Sequence, residues 1–124
     1  MSAERNYDLE KGGVKYDDGK VRTELLPYDA IWGIADILTI GAKKYRDRNW
    51  EVGMDWSRPF GACMRHMWAW WQGKGDTNVS FLFGDIDEET ERPHLWHAGC
   101  CILFLIAYEM RGVGKDDRPV KYKQ

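Results

Sequence analysis

Gly99-Cys100-Cys101-Ile102-Leu103-Phe104-Leu105-Ile106-Ala107-Tyr108 is an unbroken apolar run, and it decides the fold. It lies within a segment that reads as a helix, starting near Thr90 to Pro93 and ending at Arg111. Gly112 then stands as the C′ residue. Apolar side chains occupy every side of such a helix, and a helix that is hydrophobic all round is buried all round. Upstream, Ile31, Ile34, Ala35, Leu38, Ala42 and Tyr45 recur at spacings of three and four, predicting a helix from about Tyr28 to Tyr45 with one apolar face. Pro27 suits its start, and Lys43, Lys44 and Arg46 suit its end. A third helix follows, with Ser57 as N-cap and Pro59 in its first turn, and runs to about Gln72. Phe60, Ala62, Cys63, Met64, Met67, Trp68, Trp70 and Trp71 cover nearly every side of it. Three helices cannot bury two such members among themselves. The prediction is an all-α fold, a small bundle of three long helices with an extended N-terminal arm. Oligomerisation completes it, most simply as a homodimer.

The remaining segments are polar. With 124 residues the sequence predicts a single domain, 1–124, with 1–14 and 113–124 as loose tails. Residues 1–27 form an arm expected to dock by Leu25-Leu26-Pro27, and Asp47 to Trp56 is a connector rich in Gly, Asn and Asp. Gly73 to Glu89 exceeds the ~12 residues usual for a structureless loop, so it is functional, disordered or holds a short element such as Phe81-Leu82-Phe83.

Composition excludes several classes. Eighteen basic residues against twenty acidic ones give a net charge of −2, whereas a nucleic-acid binder shows a clear basic excess. The longest apolar run, Ala98 to Ala107, is half of the ~20 residues that a membrane span needs. The polar opening after Met1 predicts no secretory signal. Cys63, Cys100 and Cys101 match neither a zinc pattern nor a disulfide framework, and read as reduced, core-filling thiols in a cytoplasm.

Charge is segregated along the chain although it nearly cancels in total. Lys43 to Arg65 holds six basic residues against three acidic, a net of +3. Lys74 to Glu91 holds one lysine against six acids, a net of −5. A basic surface beside an acidic cluster suits a metal-dependent enzyme acting on phosphates, because Lys and Arg take phosphate oxygens and carboxylates hold a hard cation. Solvated loops with incidental charge are the alternative. Asp85, Asp87 and Glu89 alternate into the last helix, where His94 and His97 stand three apart on one face. The pair reads as two ligands, as a ligand and a general base, or as phosphate contacts. Arg65-His66 interrupts the apolar middle helix. A buried Arg65 requires a partner, either Asp36 on the first helix or a substrate phosphate. Trp68, Trp70, Trp71 and Trp96 stand within the helices, where packing is the default reading, while Trp50 and Trp56 lie in the polar connector. Trp50, next to Asn49 in the polar connector, has what a base needs: a flat ring and a polar edge.

These residues carry a resemblance. Lys15-Tyr16-Asp17-x-Gly19-Lys20-x-Arg22 with Leu25-Leu26-Pro27 is similar to the opening motif of a phage and bacterial family of dATP/dGTP diphosphohydrolases. The likeness continues through Gly41-Ala42-Lys43-Lys44-Tyr45, Asn49-Trp50, Gly53-Met54-x-Trp56-Ser57-Arg58 and Arg65-His66. It closes with Asp85-x-Asp87-x-Glu89-Thr90, Pro93-His94-Leu95-x-His97-Ala98 and Leu103-Phe104-Leu105. The resemblance implies hydrolysis of a purine deoxynucleoside triphosphate to monophosphate and pyrophosphate, with Mg²⁺ or Mn²⁺, in a MazG-like all-α fold and, for a phage protein, in the bacterial host cytoplasm. The sequence departs from the MazG pattern: Glu88-x-x-Glu91 stands at a loop–helix junction, no E-x-x-D follows on the last helix, and Asp76 to Phe83 reads as an insertion. The acidic motif and the His pair therefore rank first. In this reading Asp85, Asp87, Glu89 and His94 hold the metal, and Asp87, Glu89, His94 and His97 serve catalysis. Lys15, Lys20, Arg22, Lys43, Lys44, Tyr45, Asn49, Trp50, Arg65 and His66 bind the substrate. A small-molecule nucleotide is the expected partner. The rival reading is a nucleotide-binding protein that sequesters its ligand, or a nucleotide signal, without turnover.

Overall fold

The computed structural model describes residues 12–73 and 85–120. Three helices account for most of them: α1 (Tyr28–Lys44), α2 (Ser57–Gln72) and α3 (His94–Arg111). Just before α3 comes a small antiparallel hairpin, β1 (Ile86–Asp87) with β2 (Arg92–Pro93), in the register Ile86 to Pro93 and Asp87 to Arg92. The helical bundle predicted from periodicity is present. The region holding Phe81-Leu82-Phe83 lies outside the described residues, as do residues 1–11 and 121–124. No helix among the described residues is long and apolar enough to cross a membrane.

Helix ends follow local chemistry. Pro93 disfavours a helical conformation for the residue before it, so Arg92 stays extended and α3 begins at His94 rather than at Thr90. At the other end Gly112 adopts φ 66°, and its N–H reaches the carbonyl of Tyr108. Ser57 is the first residue of α2 rather than its cap. Its N–H and hydroxyl both donate to the Asp117 carboxylate, at 2.8 and 2.5 Å. A carboxylate from the far end of the chain thus takes the place of an N-cap side chain.

Helix α3 is the common partner of α1 and α2. Cys63 and Ala69 of α2 meet Ala98, Cys100 and Tyr108 of α3 in the buried core. Burial pushes the Cys100 thiol up to about 12 and Cys101 up to about 11, so both stay protonated and unreactive. Tyr108 is 1% exposed and donates its hydroxyl to the carbonyl of Trp50 at 2.5 Å. Between α1 and α3 the approach is close: a Cβ on Gly33 would stand 2.8 Å from two carbons of the Trp96 ring. A Cβ on Gly99 would stand 3.1 Å from Ile34. Each helix thus offers a glycine to a large side chain of the other.

Two expectations are corrected. Leu25 and Leu26 are 68% and 58% exposed, so the arm does not dock on its own chain through them. A single 3-10 turn at Thr23–Leu25 links it to α1. The expected loose tail from Val113 is instead tied down over its first residues. Lys115 exchanges backbone hydrogen bonds with Met54 and Trp56, the Trp56 indole donates to the carbonyl of Val113, and Arg118 lies over the Trp56 ring. Charge alone does not loosen a segment whose backbone finds partners.

One face of α2 stays open. Phe60, Met64, Trp68 and Trp71 follow spacings of four, four and three, and each is at least 39% exposed.

The glycine contact gives a test. Gly33→Ala should destabilise the protein by about 1–3 kcal/mol through overpacking against Trp96. Gly41→Ala, with nothing within 4 Å of its Cβ, should stabilise by up to ~1 kcal/mol through helix propensity. Urea midpoints of the two variants report both effects, and equal shifts would contradict the close approach.

Candidate metal centre

Three histidines and one aspartate converge where α2, the hairpin and the start of α3 meet. His66 comes from α2, Asp87 from β1, and His94 and His97 from the first turn of α3. The Nδ1 atoms of His66 and His94 are 2.8 Å apart. Asp87 Oδ2 lies 4.0 Å from each of them. On the other carboxylate oxygen, Oδ1 is 4.0 Å from His97 Nε2. The His97 ring stacks on His66 with centroids 4.5 Å apart and planes 10° from parallel. His94 is 5% exposed, and its Nε2 is buried without a hydrogen-bond partner.

Thr90 organises this arrangement. Its N–H donates to Asp87 Oδ1 at 3.0 Å, and its hydroxyl stands 3.2 Å from Oδ1 and 2.7 Å from His97 Nε2. The same hydroxyl oxygen accepts the Arg92 N–H at 3.3 Å. Asp87 Oδ1 is thereby held, while Oδ2 faces the His66–His94 pair and accepts no hydrogen bond among the described residues. The turn that carries Thr90 is tight. Glu91 N–H closes on the carbonyl of Asp87 at 2.7 Å, and Glu91 itself adopts φ 59°, a left-handed conformation costly for a residue with a Cβ. Two ion pairs bind the hairpin to α1: Arg92 to Asp36 at 2.6 Å, and Lys44 to Glu89 at 3.1 Å.

Electrostatics favour neutral rings. Burial, then the neighbouring His97 and His94, pulls the His66 pKa down to about 4, with Asp87 opposing. Burial likewise lowers His97, again against Asp87. Burial alone would raise the Asp87 carboxyl, but the Thr90 hydrogen bonds and His97 outweigh it and hold it below its ordinary value. At neutral pH an anionic Asp87 carboxylate thus faces the uncharged imidazoles of His66 and His97. Two nitrogens and one carboxylate oxygen converging within 4.8 Å form a donor set that fits a divalent cation.

The model of the family described as dATP/dGTP diphosphohydrolase, N-terminal, matches residues 10–118. The chain belongs to this family. It is also similar to a dATP/dGTP diphosphohydrolase of Salmonella phage PMBT28, at 28% identity over 106 residues. That stretch is 86% of this chain and 33% of the phage protein, so the chain spans about a third of the relative's length. No solved structure matches the chain.

Within this member of the dATP/dGTP diphosphohydrolase family, the predicted site residues divide. Of the four expected metal ligands, Asp87 and His94 come together. Asp85 is exposed and gives its backbone carbonyl to the His94 N–H at 2.7 Å, and the Glu89 carboxylate is turned to Lys44. His97 joins the cluster through Thr90. His66, expected to touch the substrate, stands beside Asp87 and His94. Arg65 faces solvent beside it and forms no strut to Asp36, which is taken by Arg92. Trp50, expected at the base, is packed into the fold. Its ring stacks on Phe104 at 4.5 Å, and the Arg111 guanidinium lies 5.6 Å from the ring centroid. Asn49 is exposed in the adjoining 3-10 turn, while Lys43 and Tyr45 are exposed at the end of α1. Lys15, Lys20 and Arg22 are exposed in the arm, with Arg22 turned toward Glu24.

Thr90 and Arg92 were not among the expected site residues. The signal for Arg92 was its place just before Pro93, and Thr90 stood at the end of the acidic motif. His66 also had a signal, the spacing Pro59, Cys63, His66, Ala69, which puts it on the buried face of α2.

The depressed histidines set a pH dependence for the metal-free protein. The unfolded chain binds these protons at its ordinary pKa of 6.5 and the folded chain only at lower pH. Stability is therefore fully present above pH 6.5 and falls as the pH drops toward about 4, the window set by His66. A loss on the order of 1–3 kcal/mol is expected. Urea unfolding at pH 7, 6 and 5 measures it, and a flat profile would contradict the neutral cluster.

Proposed function

We propose that the protein hydrolyses a purine deoxynucleoside triphosphate such as dATP or dGTP to the monophosphate and pyrophosphate, using a divalent cation at the Asp87 cluster. One observation carries this reading: a preorganised carboxylate and imidazole set stands within a chain of the dATP/dGTP diphosphohydrolase family. A cation bound there would polarise the α-phosphate and lower the pKa of a bound water. Asp87 holds its position through Thr90 and supplies negative charge. His97, held at Nε2 by the same hydroxyl, would take a proton from the attacking water at its other ring nitrogen. Lys44, brought to the hairpin by Glu89, offers a cation to the departing pyrophosphate, and exposed Arg65 next to His66 offers another.

The assay is a panel of deoxy- and ribonucleoside triphosphates with divalent metal, scored for pyrophosphate against orthophosphate. Pyrophosphate from dATP or dGTP is expected, with Asp87→Asn lowering the rate at least ~100-fold. Orthophosphate as the sole product would reject attack at the α-phosphate. Because the chain spans a third of its phage relative, binding without turnover is the second reading, and intact triphosphate recovered from a tight complex would establish it.

The reading includes a second copy of the chain. The open stripe Phe60, Met64, Trp68 and Trp71 is continuous along α2, and aromatic side chains dominate interface energetics when covered. Sedimentation velocity should show a dimer or larger species, and Trp68→Glu should shift it to monomer with its helical circular dichroism retained. A monomeric parent protein would contradict it.

A further inference from the structure

We propose that His66, His94 and Asp87 form a site for a borderline first-row transition ion, of the zinc and cobalt kind, and not for magnesium. This deepens the functional reading above and rests on it only for the ion's purpose, not for its binding. Three observations carry it. First, the two closest donors are nitrogens: the Nδ1 atoms of His66 and His94, 2.8 Å apart and facing one another. Magnesium requires oxygen ligands in a strict octahedron and keeps several waters, whereas imidazole suits zinc, cobalt, nickel and iron. Second, only one of the acidic side chains expected to bind a metal reaches the pair. Glu89 is engaged by Lys44, and Asp85 is exposed and stands outside the ligand group. A magnesium site would need those oxygens. Third, the free geometry is right. Asp87 Oδ2 is turned to both nitrogens at 4.0 Å while its other oxygen is fixed by Thr90.

The spacing also indicates what binding changes. In the metal-free protein the 2.8 Å Nδ1···Nδ1 contact is a hydrogen bond, in which one ring donates and the other accepts. Two nitrogens ~2.1 Å from one ion at a tetrahedral angle sit roughly 3.4 Å apart, so the contact opens by about 0.6 Å, and the donating ring carries its proton on Nε2 instead to free Nδ1 for the ion. Asp87 closes on the same point. The resulting set of two imidazoles and one carboxylate leaves coordination positions open for water or a phosphate oxygen, as catalytic zinc sites do. His97 stays outside the ligand set because Thr90 occupies its Nε2 at 2.7 Å. Thr90 is then a positioning residue for Asp87 and His97 together.

The test is direct metal binding to the full chain after chelation, independent of any nucleotide. Calorimetry with Zn²⁺ and with Mg²⁺, and visible d–d absorption with Co²⁺, give stoichiometry and affinity. One Zn²⁺ or Co²⁺ per chain is expected, at least ~100-fold tighter than Mg²⁺. His66→Ala and Asp87→Asn should each weaken Co²⁺ binding at least ~10-fold. Long-range proton–nitrogen spectra of the parent protein should show the Nδ1 of His66 and of His94 shifting on Zn²⁺ addition, which decides the ligands even if His66→Ala does not fold. Equal affinity for Mg²⁺, or Co²⁺ binding unchanged in a folded His66→Ala protein, would overturn the site. Tight Zn²⁺ binding without triphosphate turnover would leave this site standing and reject the hydrolase reading. Turnover with Mg²⁺ that His66→Ala leaves intact would do the reverse.

Discussion

Helix α3 must be covered on more than one side, while its first turn carries two histidines that have to reach other groups. Both demands are met at the same place. Gly33 admits the Trp96 indole against the backbone of α1, and Gly99 receives Ile34 in return. This fixes α1 along α3 at one level, since sliding would drive a ring into a backbone. With the level fixed, Asp36 and Lys44 stand where Arg92 and Glu89 can meet them. The hairpin is then held between α1 and α3, and Asp87 arrives beside the histidines. Remote packing thereby sets the position of the Asp87 carboxylate.

How much of this could be read from the residues varied with the range of the physics involved. The three helices follow from spacings within the chain, and their ends from Pro93, Gly112 and the basic residues of α1. The grouping of Asp87, His94 and His97 was legible because motif and helical face are local patterns. His66 was read with its neighbour Arg65 as a phosphate contact, whereas the 59, 63, 66, 69 spacing places the two on different faces and turns His66 toward the histidines of α3. The hairpin was invisible, since strands of two residues have no periodicity to show. The packing of Trp50 was hidden for the opposite reason. Its flanking residues are polar, but its partners, Phe104 and Tyr108, lie more than fifty residues away.

The segregated charges also find their use across the fold. The basic end of α1 and the acidic hairpin meet as the Lys44–Glu89 pair, and Arg92 draws Asp36 to the other strand. Exposed pairs of this kind contribute little stability on their own. Their role here is steering: each fixes a carboxylate away from the cluster, leaving Asp87 as the carboxylate that faces the histidines.

The carboxylate at the start of α2 has a consequence for how the chain folds. Ser57 is satisfied by Asp117, sixty residues further on. The first turn of the helix that carries His66 closes locally, Phe60 N–H on the Trp56 carbonyl, but it gains its capping carboxylate only when a loop spanning half the molecule closes. Closing so long a loop is entropically slow to repay. The end of α2 that bears the tail should settle late in folding, after α2 and α3 have already paired around Cys63 and Cys100.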